Sequence, residues 1–311
     1  MHGIVRSCGQ LRDQTVSRVP KARVAVLVVL VCAEAIYGVA QALSNRVAIA
    51  TEGEYRFVRS NGIPNHQTGR FPNRNNPNAI SEKDYVFRVP TRPQLAAQSA
   101  PSGWAWFGVA VNGVPFEPGT QEFWNDDRGS GWTYEAIGGV SNLGIDENFA
   151  HVQPNGAYHY PGLPVGLVQQ LGVDGQRMLL VGWAADGFPI YTGYGHADAL
   201  DARSPLRKLT SSYRLRPGIR PEGPGGRYNG DFTQDFEYVK GLGDLDENNG
   251  RVSATPEYPQ GIYCYFITET FPIISRSWRG FADASFQKLG PPPGAVPRRP
   301  RRPERGFPPR P

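Results

Sequence analysis

Short apolar runs punctuate the chain: Tyr55 to Val58, Tyr85 to Val89, Phe107 to Val111, Trp132 to Ile137, Met178 to Trp183, Tyr213 to Leu215 and Ile262 to Glu269. Each is rich in β-branched or aromatic residues, and clusters of Gly, Pro, Asn and Asp separate them, which predicts strands joined by tight turns. No amphipathic helix longer than about three turns is legible. The best candidate is short, Pro164 to Leu171, with a proline in its first turn and Gly172 as the stop. The pattern predicts a mainly β fold: a single antiparallel β-rich domain, sandwich or barrel-like, with few short helices.

The tetrapeptide [Asn/Asp]-Gly-apolar-Pro occurs at Asn61, Asn112 and Asp186. Asn-Gly and Asp-Gly favour the left-handed conformations of tight turns, and the proline keeps the return strand at an edge or bulge. The intervals of 51 and 74 residues are unequal. They favour three independent uses of a good turn over a repeated hairpin unit.

Charge separates the ends from the middle. Residues 1–42 hold Arg6, Arg12, Arg18, Lys21 and Arg23, then the apolar run Val24 to Ala33, then Ala40-Gln41-Ala42. Basic start, short apolar stretch and small-residue exit predict a secretory signal peptide. A membrane anchor is the alternative, against which stand Glu34 and the short uninterrupted run. Residues 291–311 form a Pro/Arg-rich tail unable to bury a core and expected to be disordered. The leader carries +3 and the tail +5, leaving −3 on residues 43–290, the expected folded domain, out of a total of +5. The basic character therefore belongs to the ends. No nucleic-acid partner is expected, and the tail suits anionic envelope surfaces. The expected location is secreted or periplasmic, or membrane-anchored with an exported domain if the leader is retained. Cys8 and Cys32 lie in the leader, so Cys264 has no intramolecular partner after cleavage and is expected to be a buried thiol.

Two of the five histidines flank one turn, in Ala150-His151-Val152-Gln153-Pro154-Asn155-Gly156-Ala157-Tyr158-His159-Tyr160. A three-residue loop, Pro154 to Gly156, would place His151 opposite His159 with both rings on one face. A two-residue loop would pair His151 with Tyr160 and send His159 to the other face. With Gly162-Leu163-Pro164, this stretch resembles the signature of the YHYH-domain family, a group of mostly secreted proteins. Ser60 to His66, Asn112 to Phe116, Asp186 to Tyr191, and Leu245 to Glu247 with Asn249 to Arg251 are similar to it as well, so the resemblance spans roughly residues 54–280. The family motif ends in a second histidine where this chain has Pro161. A third imidazole at that position would complete a cluster, so a metal site here must find another ligand.

The leading expectation is an exported protein that binds a divalent transition metal, zinc or copper, through His151 and His159, with help from His66 or a carboxylate. Asp146, Glu147 and His196 are alternative ligands or orienting partners. Gly243 to Gly250 begins like a calcium loop, with Asp244, Asp246 and Asn248 as candidate ligands. Its glycine falls a residue late and Thr255 stands where a closing glutamate should be. A second expectation is a metal-dependent hydrolase of extracellular or cell-wall polymers, with Glu147 as the nearby base. A third is a glycan-binding or structural module presenting Trp104, Trp106, Phe107, Trp124 and Trp132. Serine-hydrolase elbow, zinc-protease helix, phosphate loop and dinucleotide fingerprint are all missing from the sequence.

Overall fold

The computed structural model describes residues 43–138, 140–172 and 177–288. The expected signal peptide and basic tail lie outside the described residues. Strands β1 (Val47–Glu52), β2 (Tyr55–Ser60) and β3 (Tyr85–Pro90) form an antiparallel sheet, and β4 (Leu95–Pro101) follows. Next come β5 (Gly108–Ala110), β6 (Pro115–Phe116), β7 (His151–Val152) and β8 (Tyr158–His159). The single α-helix among the described residues, α1 (Val165–Gln170), has Pro164 at its N-cap and a left-handed Gly172 just beyond its end, as the sequence predicts. The second half holds β9 (Leu180–Ala184), β10 (Pro189–Thr192), β11 (Tyr194–His196), β12 (Leu206–Lys208), β13 (Tyr213–Leu215) and β14 (Phe236–Tyr238). It closes with β15 (Gly250–Ser253), β16 (Ile262–Ile267) and β17 (Ser277–Gly280), the last paired with β4. The fold is mainly β with antiparallel-rich sheets, and none of the described sheets closes into a barrel. Trp132 to Ile137 is not a strand. Thr133 and Tyr134 make only single bridges, to Phe123 and Phe232, because the segment crosses between loops instead of running along a ladder.

The central sheet runs β15-β16-β10-β9-β5-β6. A parallel bridge from Phe116 to Tyr160 joins the β7–β8 hairpin to its far edge. The extended order then reads the same from both ends, because the strands come in equivalent pairs. At the centre, Gly108, Val109 and Ala110 face Ala184, Trp183 and Gly182. Val111 N donates to Val181 O at 2.9 Å and Ala185 N to Phe107 O at 2.9 Å, each bond the mirror of the other. A Cβ on Gly108 would strike the carbonyl of Trp183, and one on Gly182 the carbonyl of Val109. Only glycine permits this approach, and it is required twice for the same reason.

The turns that follow are equivalent too. Gly113 (φ 82°) and Gly187 (φ 91°) occupy the same left-handed position of the Asn112 and Asp186 turns. Further out, Phe116 pairs in parallel with Tyr160 as Ile190 does with Tyr265. His151 opposite His159 and Val152 opposite Tyr158 match Arg251 opposite Cys264 and Val252 opposite Tyr263. The expectation of independent turns is therefore corrected for Asn112 and Asp186, which belong to two copies of one unit. Asn61 instead ends β2 in the outer sheet. Unequal insertions hide the copies in the sequence: 34 residues separate Asn112 from Asp146, and 60 separate Asp186 from Asp246.

Candidate functional site

The hairpin has the three-residue loop. Gln153 N donates to Ala157 O at 2.9 Å and Gly156 N to Gln153 O at 2.8 Å, with Gly156 left-handed at φ 84°. The Asn155 side chain accepts from Ala157 N at 3.0 Å. This register puts His151 directly across from His159, with ring centroids 4.3 Å apart and planes tilted by 52°.

Asp146 fixes the entry to the hairpin. Its Oδ1 accepts from Asn148 N (2.9 Å) and Ala150 N (3.2 Å), and its Oδ2 from Gly69 N (3.0 Å) and Tyr158 Oη (2.8 Å). It is thus a turn anchor on the tyrosine face that reaches His151 through its charge and not through a hydrogen bond. Phe149 is held at φ 47° in this turn, a costly conformation for a bulky residue that the surrounding bonds enforce.

The histidine face opens into a cavity of about 340 Å³, lined among others by Asn76, Trp104, Glu117, Gln153, His151 and His159. His159 is buried, and its Nε2 lies 3.4 Å from Glu117 Oε2. Glu117 is also buried and accepts hydrogen bonds from Gln153 Nε2 and Lys288 Nζ. Lys288 Nζ lies over the rings of Trp104 and Trp106, at 4.2 and 4.1 Å from their centroids. Burial pulls the Lys288 pKa down, to about 6. Burial likewise lowers His151 to about 4, an effect that the Leu143 carbonyl and the Asp146 charge only partly offset. His159 falls well below its usual value through burial and then through the neighbouring His151. Both imidazoles are therefore neutral at pH 7, the form in which a ring nitrogen can ligate a cation.

Other expected ligands lie elsewhere. His66 is on the tyrosine face: its Nε2 meets Tyr160 Oη at 2.7 Å and its Nδ1 meets Gln67 O at 2.8 Å. Alternation along β8 sends Tyr158 and Tyr160 to the side away from His159, so His66 cannot join the histidine pair without crossing the sheet. Glu147 is exposed, with its carboxylate beside Gly69. His196 sits on β11, bonded through Nδ1 to Ser204 O. Pro161 is buried, and its counterpart Phe266 is also apolar and buried.

The three calcium candidates serve three separate sets of partners. Asp244 is clamped by Arg207 and Thr210, which hold its carboxyl down at about 2. Asp246 accepts from Asn248 N, Gly250 N and Tyr263 Oη. Asn248 binds Ser99 and Ser277. Asp246-Glu247-Asn248 repeats the Asp146-Glu147-Asn148 turn, while Asp244, whose counterpart is Gly144, is engaged by Arg207 and Thr210.

Trp106, Phe107 and Trp132 are buried, so the five aromatics form no common exposed platform. Among the described residues no three His, Cys, Asp or Glu side chains are already gathered as a metal cluster, and no helix is long and apolar enough to cross a membrane. Sequence reasoning missed Glu117, Gln153 and Lys288. The only available signal was that Glu117 directly follows the Asn112 turn and its short return strand.

The family model described as YHYH protein matches residues 86–280, well over half of the chain. The chain belongs to the YHYH family. No curated protein and no solved structure matches it. The span matched by the YHYH model runs from β3 to the end of β17 and includes the whole duplicated sheet. The Tyr158-His159-Tyr160 triplet of the YHYH motif is β8 and the residue after it, so one histidine faces the cavity while two tyrosines anchor the other side.

Proposed function

We propose that the cavity of this YHYH protein binds a divalent transition metal, zinc or copper, through His151, His159 and Glu117, and that the protein acts outside the cytoplasm. The observation that carries the proposal is the pair of neutral imidazoles on one face, with a buried carboxylate 3.4 Å from one of them. Two imidazole nitrogens and one carboxylate oxygen form a donor set suited to zinc, and a cavity beside them leaves a fourth position for water or substrate. Binding requires the rings to turn their nitrogens to a common point and Glu117 to exchange the Lys288 amino group for the metal.

A second proposal, a metal-dependent hydrolase, draws on the same cavity. In that reading Glu117 is not a ligand but the general base, the role that the sequence offered to Glu147, since the Glu117 carboxylate lies beside His159. The metal is then held by the two imidazoles, with positions left for water and substrate. The test is titration calorimetry of zinc into the protein and into His159→Gln. Tight binding weakened at least about tenfold by the substitution, roughly 1.4 kcal/mol, is expected. Equal affinity in both proteins would exclude the site.

A further inference from the structure

The two halves of the sheet provide an internal control for which residues the fold needs. The Asp146 and Asp246 turns share their backbone bonds: Asp146 N donates to Ala150 O at 2.8 Å and Asp246 N to Gly250 O at 2.9 Å, while Phe149 N and Asn249 N each donate back to the aspartate carbonyl at 3.0 Å. The bond from Gly69 N belongs to Asp146 alone. Tyr158 Oη bonds Asp146 as Tyr263 Oη bonds Asp246. Tyr160 Oη meets Asn112 at 3.0 Å as Tyr265 Oη meets Asp186 at 2.6 Å. These residues make equivalent turn and anchor bonds in both halves.

On the other face the agreement stops. His151, His159, Glu117 and Gln153 have Arg251, Cys264, Tyr191 and Ser253 as counterparts. Tyr191 and Cys264 there belong to an apolar cluster with Met178, Leu209, Leu245 and Phe266. Leu209 comes from the longer segment that only the second half carries between its turns. The same face is thus covered and packed in one half, and opens in the other as a cavity that His151, His159, Glu117 and Gln153 line.

We infer that the sheet is a duplicated unit in which only the first copy carries a ligand site, and that His151, His159, Glu117 and Gln153 determine what that site binds while contributing little to the scaffold. The inference concerns the division of labour among residues. It rests on the proposed metal reading only for the identity of the ligand.

Thermal melting of full-length matched variants tests it without any ligand. Asp146→Ala and Asp246→Ala should each lower Tm by more than about 6 °C, since each strands several buried donors in an equivalent turn. His151→Gln and His159→Gln should each lower it by less than about 3 °C. If both histidine variants melt as early as Asp146→Ala, or fail to fold while the aspartate variants fold, the histidines are scaffold and the inference is overturned. If only one of the two aspartates matters, the equivalence of the halves is overturned. Absence of zinc binding by the unmodified protein would refute the metal proposal and leave these melting results to decide the inference on their own.

Discussion

At the scale of single residues, the site depends on histidines kept neutral by burial. His151 titrates near 4 when folded, against 6.5 in a free chain, and His159 is shifted in the same direction. Between these values the unfolded chain binds protons that the folded protein does not, so stability must rise with pH across that window. It is fully present above about pH 6.5 and lost progressively as the pH falls toward 4. From pH 6.5 to 5, the His151 ring should cost roughly 2 kcal/mol, and His159 adds to the loss in the same direction. Urea denaturation at the two pH values, compared with a His151→Gln variant, measures this. A variant as acid-sensitive as the parent would show that the ring is charged in the folded state. Tyr160 poses a different question. Its hydroxyl joins His66 and Asn112 beneath the hairpin, and Tyr160→Phe should cost about 1–3 kcal/mol by removing one hydrogen bond from each, while Asn112 keeps Asn65 and His66 keeps Gln67. Zinc affinity should stay unchanged, because the hydroxyl faces away from the cavity.

At the scale of elements, the hairpin was legible and its setting was not. Pro154-Asn155-Gly156 announces a turn, and the alternation around it places the two histidines together once the loop length is known. Two loop lengths fit the sequence, and the choice is made by Asn155 accepting from Ala157 N and by the Asp146 turn gripping Tyr158. Glu117 and Lys288 lie 42 and 129 residues from His159 in the chain, so no local pattern could bring them in. β5 and β9 were legible as apolar runs, but their pairing depends on two glycines lying against opposing carbonyls. Gly182→Val should therefore break the centre of the sheet, reducing the yield of folded protein or costing more than about 3 kcal/mol. A stable Gly182→Val protein with normal melting would contradict the register described.

At the scale of the whole molecule, two copies of one sheet unit meet edge to edge at β5 and β9, and their ends have diverged. Asp146-Glu147-Asn148 and Asp246-Glu247-Asn248 are identical triplets, yet the second resembles half a calcium loop and hides its kinship behind the 60 residues that precede it. Fold class followed from composition and periodicity. The duplication did not, because insertions change the intervals without changing the strand pairing. The site lies where the two copies differ, on the face that the second half covers with its own apolar cluster. The most direct test of the account is a zinc-edge anomalous diffraction map of crystals soaked in zinc at near-neutral pH. The account predicts one strong peak in the cavity, about 2.0–2.1 Å from a ring nitrogen of both His151 and His159 and about 2.0–2.2 Å from a Glu117 oxygen. A peak at other residues, or none at the histidine pair, would contradict it.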